Sequence, residues 1–158
     1  MKITIASDHA GFGLKSCILR YLADKPLETS DLGTDGRDSV DYPDYAVKVA
    51  KSVSQGQSDR GILICGSGIG MSIAANKVPG IRAALCHNVT TAETSRRHND
   101  ANILVLGERV LDEETALQIV ETWLQSEFEG GRHRKRLEKI EAIEQTERAE
   151  SSPLAKEK

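Results

Sequence analysis

The residues best suited to chemistry form a glycine-rich segment near the middle of the 158-residue chain, Gly66-Ser67-Gly68-Ile69-Gly70. Three glycines at alternate positions let backbone N–H groups converge on an anion, and a helix beginning near Met71 would add its positive end. The dinucleotide-binding fingerprint is different, because it requires Gly-x-Gly-x-x-Gly after the first strand and an acidic residue roughly 20 positions later. Here the segment follows the third predicted strand, and Met71 stands where the last glycine would be. We therefore expect a site for an anion and no nicotinamide site.

Cys65 directly precedes this segment and is the strongest candidate for a reactive group. Its thiol would lie beside the same N–H groups and helix end, which favour ionisation of a thiol. A buried strand cysteine without a chemical role is the alternative, since cysteine is often buried, but the neighbouring anion site favours the reactive interpretation. Cys17 falls on the apolar stripe of the first predicted helix, and Cys86 ends a strand without a glycine loop. Both are predicted to be structural.

Histidines and arginines supply the remaining candidates. His9 follows Asp8 at the end of the first predicted strand, where the carboxylate could orient the imidazole. His98 lies in a polar run before the fifth predicted strand, and a solvated surface histidine is the alternative there. Arg132 and Arg136 are four residues apart, so on a helix they share a face and could converge on one phosphate. A solvated basic helix face is the alternative for this pair.

Short runs rich in Ile and Val alternate with segments of helical period, which predicts a parallel sheet with helices on both faces. The expected fold class is α/β: a three-layer α/β/α, doubly wound (Rossmann-like) domain with a five-stranded parallel sheet. Strands are predicted at 3–6, 28–32, 61–65, 82–86 and 102–106. Helices are predicted around the apolar positions of 14–22, 46–53, 71–77, 90–97, 116–124 and 137–143. Such sheets bind ligands outside the carboxyl ends of their strands, where Asp8 and Cys65 are expected.

Composition and charge limit the classes of protein that the chain can belong to. Residues 1–145 are predicted to form one domain, and 146–158 a disordered tail, because that segment has no apolar period. The chain has 21 Lys and Arg against 24 Asp and Glu and only 4% aromatic residues, which argues against a nucleic-acid partner. No stretch approaches the roughly 20 apolar residues of a membrane-spanning helix. Three cysteines without a Cys-x-x-Cys pair disfavour disulfides and a zinc site, so we expect a reduced, cytoplasmic protein.

Five separated motifs stand out along the chain. They are Ser7-Asp8-His9-Ala10-Gly11, Asp41-Tyr42-Pro43, Gly61-Ile62-Leu63-Ile64-Cys65 with the glycine segment that follows it, Arg97-His98-Asn99-Asp100, and Glu129-Gly130-Gly131-Arg132-His133. In type and order they closely resemble the type B ribose-5-phosphate isomerases, a family that also includes the galactose-6-phosphate isomerase subunits. The resemblance runs from about Lys2 to Gln145.

This resemblance implies an enzyme of the pentose phosphate pathway that interconverts D-ribose 5-phosphate and D-ribulose 5-phosphate without metal or organic cofactor. It implies a homodimer or homotetramer whose sites lie between two subunits. By motif position, Cys65 would be the base that moves a proton between C1 and C2. Part of the family has Glu directly after the last glycine of the loop, where this chain has Met71, and this favours the cysteine branch.

The resemblance also implies a role for each of the other candidates. His98 would open the furanose ring as a proton donor, with Asp8 assisting at the ring oxygen or the hydroxyls. The enediolate oxygens would be held by the Ser67 hydroxyl and by the loop amides, those of Gly66, Gly68, Ile69 and Gly70. The rest of the substrate would be bound by five further residues, His9, Arg132 and Arg136 at the phosphate and Asn99 and Arg109 elsewhere.

Two other functions stay open on the sequence alone. An isomerase of a hexose 6-phosphate, such as allose or galactose 6-phosphate, would differ in the length of its pocket. The presence of His9 after Asp8, together with the cysteine and the arginine pair, favours the five-carbon sugar. A non-catalytic sensor of a phosphosugar or nucleotide would need the phosphate contacts but not Cys65 and His98 together at the site.

Overall fold

The chain alternates strands and helices along its length, and the computed structural model describes residues 1–151. The strands are β1 (Lys2–Ser7), β2 (Glu28–Asp31), β3 (Arg60–Cys65), β4 (Ala83–Leu85) and β5 (Ile103–Gly107). The helices are α1 (Phe12–Ala23), α2 (Tyr42–Ser54), α3 (Ile69–Ala75), α4 (Val89–Asn99), α5 (Glu113–Gln125) and α6 (Arg132–Ser151), and a short 3₁₀ turn covers His9–Gly11. Within 1–151, no helix combines the length and the apolar character needed to cross a membrane.

The five strands form one parallel sheet in the order β2-β1-β3-β5-β4. Ile5 of β1 is paired with Ile62 of β3, which in turn is paired with Leu104 of β5. From β1 the chain moves outward to β2 on one side, and from β3 to β4 and β5 on the other, so the topological switch point lies between β1 and β3. Ligands bind at such a point, outside the carboxyl ends of the strands. The predicted fold class is confirmed.

Side chains of the central strands alternate between two cores. Ile62 and Ile64 of β3 belong to the core formed with α1, α4 and α5, whereas Leu63 and Cys65 belong to the core formed with α2 and α3. This alternation follows from the period of two in a strand. Cys65 is therefore directed to the side of the sheet on which α3 begins. Cys17 and Cys86 are both buried, as expected for structural cysteines.

The structure differs from the prediction most clearly at the carboxyl-terminal end. Helix α6 continues to Ser151, so the boundary predicted at Gln145 falls inside a helix, and residues 146–151 are helical where a disordered tail was predicted. The prediction relied on an apolar period, but Glu, Arg and Ala are strong helix formers and extend an exposed helix without one. The rest of the predicted tail, 152–158, lies outside the described residues. Strand β4 is also shorter than predicted, so Cys86 follows it.

Candidate active site

The glycine loop joins β3 to α3 and is held by close backbone contacts. Gly68 has a φ of 81°, and a Cβ there would lie 2.4 Å from Leu85 Cδ1. Only glycine fits, because other residues rarely adopt this φ and the space beside the backbone is filled. The Gly68 N–H donates to Cys65 Sγ at 3.1 Å, and the Ile69 N–H donates to Ser67 Oγ at 3.3 Å. Two of the predicted loop amides thus have partners within the loop.

A cavity of about 350 Å³ lies at the switch point, beside this loop. The buried thiol of Cys65 is in its wall. The cavity brings together residues from the loops that follow β1, β3 and β5. The predicted site residues that line it are Asp8, His9, Cys65, Gly66, Ser67, Gly70 and Arg109. We call these residues, together with Gly68 and Ile69, the carboxyl-edge cluster.

Asp8 and His9 stand at the end of β1, across the switch point from Cys65. Asp8 Oδ1 accepts hydrogen bonds from the N–H groups of Ala10 (3.0 Å) and Gly11 (3.1 Å), which caps the 3₁₀ turn and holds the buried carboxylate. His9 Nδ1 accepts from the Val40 N–H at 3.2 Å. A neutral imidazole that accepts at Nδ1 carries its proton on Nε2. The second nitrogen of His9 is therefore a donor for a ligand oxygen.

The loop after β5 is bonded to the glycine loop. The N–H groups of Glu108 and Arg109 donate to the carbonyl oxygens of Cys65 and Gly66 at 2.9 and 3.0 Å. The Arg109 guanidinium lies over Gly66, where a Cβ would be 3.3 Å from Nη1. Glu108 Oε2 accepts from the N–H of Leu14 in the first turn of α1 at 2.8 Å. These contacts hold the loops after β3 and β5 together and put a cation in the cavity wall.

Tyr42 also lines the cavity, although the sequence analysis gave it no role. It is the first residue of α2, and its ring packs on the glycine loop, where a Cβ at Gly70 would lie 2.5 Å from Tyr42 Cζ. Any side chain at position 70 would therefore displace the tyrosine ring. The signal that could have found it is the Asp41-Tyr42-Pro43 motif, which places an aromatic residue at a helix start on the ligand-binding edge.

His98 and Asn99 lie at the opposite edge of the sheet. They end α4, which runs back from the end of β4 to the start of β5. The carbonyl of Asn102, just before β5, accepts from the Gly61 N–H at the start of β3 at 2.9 Å, so this corner is at the amino edge. The five residues of β5 span about 16 Å and separate that edge from the carboxyl edge. One chain therefore does not bring His98 to Cys65.

Arg132 and Arg136 are at the amino edge as well. The connection before α6 is bonded to α4, because the Glu129 N–H donates to the Arg97 carbonyl at 3.0 Å. The next turn brings His133 against α4, and its ring stacks on that of His98. The sequence motifs predict no individual role for Glu129 or His133. We call the group at this edge the amino-edge cluster; its members are His98, Asn99, Glu129, Arg132, His133 and Arg136.

The surroundings of Glu129 and His133 favour a charged carboxylate and an uncharged ring. Burial lowers the pKa of His133, and the neighbouring His98, Arg132 and Arg136 lower it further. The hydrogen bond from Arg97 lowers the pKa of Glu129. At neutral pH we therefore expect a neutral His133 ring beside a charged carboxylate.

Three side chains of the amino-edge cluster could offer ligands to a metal ion. The ligand atoms of His98, Glu129 and His133 lie within 4.8 Å of one another. The rings are stacked with centroids 4.2 Å apart and planes 4° apart, so their in-plane lone pairs run side by side and do not converge. Arg97 Nε is 2.7 Å from Glu129 Oε1, and Arg132 Nε is 3.4 Å from His133 Nε2. These cations make the surroundings more suitable for an anion.

Fold and site together define a doubly wound α/β enzyme with a cysteine and an anion-suited glycine loop at its switch point. A family model described as Ribose/Galactose Isomerase matches residues 3–140. The chain belongs to this family, and the resemblance inferred from the motifs is confirmed.

Individual relatives match nearly the whole chain. The ribose-5-phosphate isomerase B of Escherichia coli (strain K12) is 50% identical over 144 residues, which cover 91% of this chain and 97% of that protein. The solved structure of Clostridium thermocellum ribose-5-phosphate isomerase B is 58% identical, with a TM-score of 0.91, over 92% of this chain and 99% of that one. A ribose 5-phosphate isomerase of Thermotoga maritima is 53% identical, with a TM-score of 0.87, over 89% and 97% of the two chains.

Proposed function

We propose that this chain is an aldose–ketose isomerase that interconverts D-ribose 5-phosphate and D-ribulose 5-phosphate through an enediolate. The observation that carries the proposal is the position of Cys65, an acid–base group in the wall of the switch-point cavity beside a loop of backbone N–H groups. Membership of the isomerase family supports it. Proton transfer between adjacent carbons needs a base and donors for the developing oxyanion, and Cys65 and the loop amides would supply both, so the proposed mechanism includes no step on a metal or an organic cofactor.

Cys65 is the proposed base. Its thiolate would remove the proton from C2 of the open-chain aldose as the C1 carbonyl becomes an enediolate oxygen. The same thiol would then return the proton to C1 as the C2 carbonyl forms, and the proton of the C2 hydroxyl would pass to the C1 oxygen, which becomes the C1 hydroxyl of the ketose. The Gly68 N–H, 3.1 Å from Sγ, stabilises negative charge on the sulfur. Met71 is buried and has no ionisable group, so it cannot take this role.

The glycine loop is the proposed site for the enediolate oxygens, where negative charge develops. Ser67 faces the cavity, and its Oγ accepts from the Ile69 N–H at 3.3 Å. A hydroxyl that accepts one hydrogen bond still has its own proton to donate, so Ser67 can donate to an enediolate oxygen. The remaining N–H groups of the loop would add further donors that are in place before the charge forms.

The proposal requires two subunits, because the amino-edge cluster of one chain is too far from its own Cys65. In a homodimer or homotetramer, the amino-edge cluster of one subunit would complete the cavity of the other. Exposed apolar side chains support such an assembly: Ile69 and Ile73 on α3, next to the glycine loop, and Ile140 and Ile143 on α6. Apolar surface of this kind is typical of faces that associate.

In the completed site, residues of both edges would open the sugar ring and bind the substrate. His98 from the partner subunit would donate a proton to the ring oxygen as the C1–O bond breaks, and Asp8 would accept the proton of the C1 hydroxyl. The phosphate would be held by His9 Nε2–H and by the arginine pair of the partner's α6, Arg132 and Arg136. Asn99 and Arg109 would contact the sugar between them. A bound phosphate, remote from the reacting carbons, can fix the open-chain sugar against Cys65.

The proposal includes a reduced, cytoplasmic location. All three cysteines, Cys17, Cys65 and Cys86, are free thiols. A thiol that serves as a base must stay reduced, because oxidation to a disulfide or sulfenic acid removes its ability to accept a proton from carbon.

Solvent exchange tests the role of Cys65. In D₂O, an enzyme that forms the enediolate exchanges the C2 hydrogen of ribose 5-phosphate and a C1 hydrogen of ribulose 5-phosphate. We expect Cys65→Ala to lose on the order of 10³-fold in turnover and in exchange, because the proton acceptor is gone. The matched control is Cys86→Ala, which removes a buried thiol outside the cavity and should leave turnover near that of the unmodified protein.

Three results would contradict parts of the proposal. Near-normal exchange by Cys65→Ala would exclude it as the base. Binding of ribose 5-phosphate without any exchange by the unmodified protein would identify a non-catalytic sensor. Faster turnover of allose 6-phosphate or galactose 6-phosphate in the same assay would identify a hexose 6-phosphate isomerase.

A further inference from the structure

The two histidines of the amino-edge cluster form a stacked pair with very different exposure. The side chain of His133 is 6% exposed, whereas that of His98 is 39% exposed. Their ring planes differ by 4°, with 4.2 Å between the centroids. A buried flat ring at this distance limits rotation of the exposed ring about its side-chain torsions. The buried ring of His133 thus supports the exposed ring of His98, and we call the His133 ring the platform.

The platform is itself fixed relative to α4. The His133 N–H donates to the Gly130 carbonyl at 3.0 Å, which holds the first turn of α6. Glu129 is bonded to Arg97 twice, from its own N–H to the Arg97 carbonyl at 3.0 Å and from Arg97 Nε to Glu129 Oε1 at 2.7 Å. Since Arg97 is the neighbour of His98, the backbone segments that carry the two rings are held together.

The Glu129 carboxylate lies beside both rings, and the surroundings of His133 disfavour a charge on its ring. Glu129 Oε2 lies 3.7 Å from Nε2 of His133 and 3.9 Å from Nε2 of His98. Burial and the neighbouring His98, Arg132 and Arg136 lower the pKa of His133, so its ring is neutral at neutral pH. A neutral platform adds no positive charge beside His98.

We propose that His133 is a positioning residue, whose ring holds the imidazole of His98 in the orientation from which His98 protonates the ring oxygen of the bound sugar. This inference rests on the proposed function, in which His98 is the ring-opening acid of the partner's site. Orientation matters here because the C1–O bond must break as the ring oxygen gains its proton and the C1 hydroxyl loses one. A misaligned donor would slow this step without affecting proton transfer between carbons.

Ribulose 5-phosphate allows the two steps to be measured separately. Its C5 oxygen carries the phosphate, so the sugar cannot close a furanose ring and enters the site as an open chain. Exchange of its C1 hydrogen with D₂O requires Cys65 and the glycine loop but no ring opening. Isomerisation of ribose 5-phosphate, which is mainly cyclic, requires both steps.

The experiment compares His133→Ala, His133→Phe and His98→Ala in the full-length protein. For His133→Ala we expect a drop on the order of tenfold in kcat for ribose 5-phosphate, with KM and the inhibition constant of inorganic phosphate within about twofold. C1 exchange of ribulose 5-phosphate should also stay within about twofold. His133→Phe keeps a flat ring that can stack, and it should restore most of the lost kcat. Circular dichroism and thermal unfolding identify the temperature range in which each variant is folded.

Each of the other outcomes overturns a specific statement. A His133→Ala variant with unchanged kcat for ribose 5-phosphate would show that the platform has no role. A rise in KM and in the inhibition constant of phosphate would make His133 a phosphate contact. Failure of His133→Phe to restore kcat would assign the effect to an imidazole nitrogen and not to stacking. If His98→Ala isomerises ribose 5-phosphate normally, the role of His98 in the proposed function fails, whatever His133 does.

Discussion

The two clusters of the proposed site are built by different kinds of interaction. The carboxyl-edge cluster is held mainly by the backbone, through Gly68 at a positive φ and through carbonyls of the glycine loop that accept from the loop after β5. The amino-edge cluster is held mainly by side chains, through the Arg97–Glu129 ion pair and the stacked rings of His98 and His133. The first is complete in one chain, and in the proposed assembly the second acts in the site of another chain. In the proposed dimer, each subunit therefore supplies the carboxyl edge of one site and the amino edge of the other.

The largest expected effect tests whether each site is shared between two subunits. Two inactive variants are combined in one dimer. Cys65→Ala and His98→Ala should each have very low turnover of ribose 5-phosphate. They are co-expressed with two different tags, and the doubly tagged heterodimer is isolated. If each site joins Cys65 of one subunit to His98 of the other, one of the two sites has both residues intact, and turnover should return to about half that of the unmodified dimer.

The control for this experiment is a doubly tagged dimer in which both subunits carry Cys65→Ala, which should stay inactive. No recovery in the mixed dimer would contradict the comparison, because a site within one chain would leave each subunit with one missing residue. Size-exclusion chromatography with light scattering confirms that the isolated species contains both subunits.

Much of the carboxyl edge could be predicted from the sequence, because it depends on local patterns. Apolar runs and turns place the strands, and parallel strands bring Asp8 and Cys65 to one edge whatever the side chains around them do. The contact of Tyr42 with Gly70 could not be predicted in this way. It depends on how α2 packs against the glycine loop, and no periodicity or spacing reports that contact.

The amino edge was less predictable for the same reason. The position of His98 before β5 already puts it at that edge, but the stacking on His133 requires α6 to lie against α4, which is a contact between distant parts of the chain. The length of α6 was also missed, since its last turns carry charged helix formers and no apolar period. Sequence patterns thus predict elements and edges, while contacts between helices require the folded structure.

The next largest effect is expected for Gly68→Ala, which changes the carboxyl-edge cluster alone. A Cβ there meets Leu85 Cδ1 at 2.4 Å and the φ of 81° is unfavourable for alanine, so the loop must shift. We expect kcat/KM to fall on the order of 100-fold and the free energy of unfolding to fall by about 2–3 kcal/mol. Steady-state kinetics and urea unfolding provide the two measurements.

Two other glycines are controls for this change. Gly80 has a φ of 79° with nothing within 4 Å of a Cβ, so Gly80→Ala measures the cost of the φ alone, about 1–2 kcal/mol. Gly36 has neither a positive φ nor a close neighbour, so Gly36→Ala should leave both properties unchanged. Near-normal turnover of Gly68→Ala would show that the backbone of the glycine loop tolerates a side chain at this position, and it would contradict the role given to backbone contacts in the carboxyl-edge cluster.

The smallest expected effect concerns the basic side of α6. Arg136 is proposed to bind the phosphate in the partner's site, in both the ground state and the transition state. Removal of such a contact weakens binding without changing the chemical step, so Arg136→Ala should raise KM for ribose 5-phosphate about tenfold and leave kcat within about twofold. Inorganic phosphate should inhibit this variant more weakly by a similar factor. The matched control is Arg134→Ala, which removes a guanidinium that instead lies 5.4 Å from the Phe128 ring centroid and should keep KM unchanged. An equal rise in KM in both variants would mean that α6 offers general positive charge to the substrate, and an unchanged KM in both would exclude Arg136 as a phosphate contact. A rise confined to Arg136→Ala would make this one position of the amino-edge cluster a direct phosphate contact.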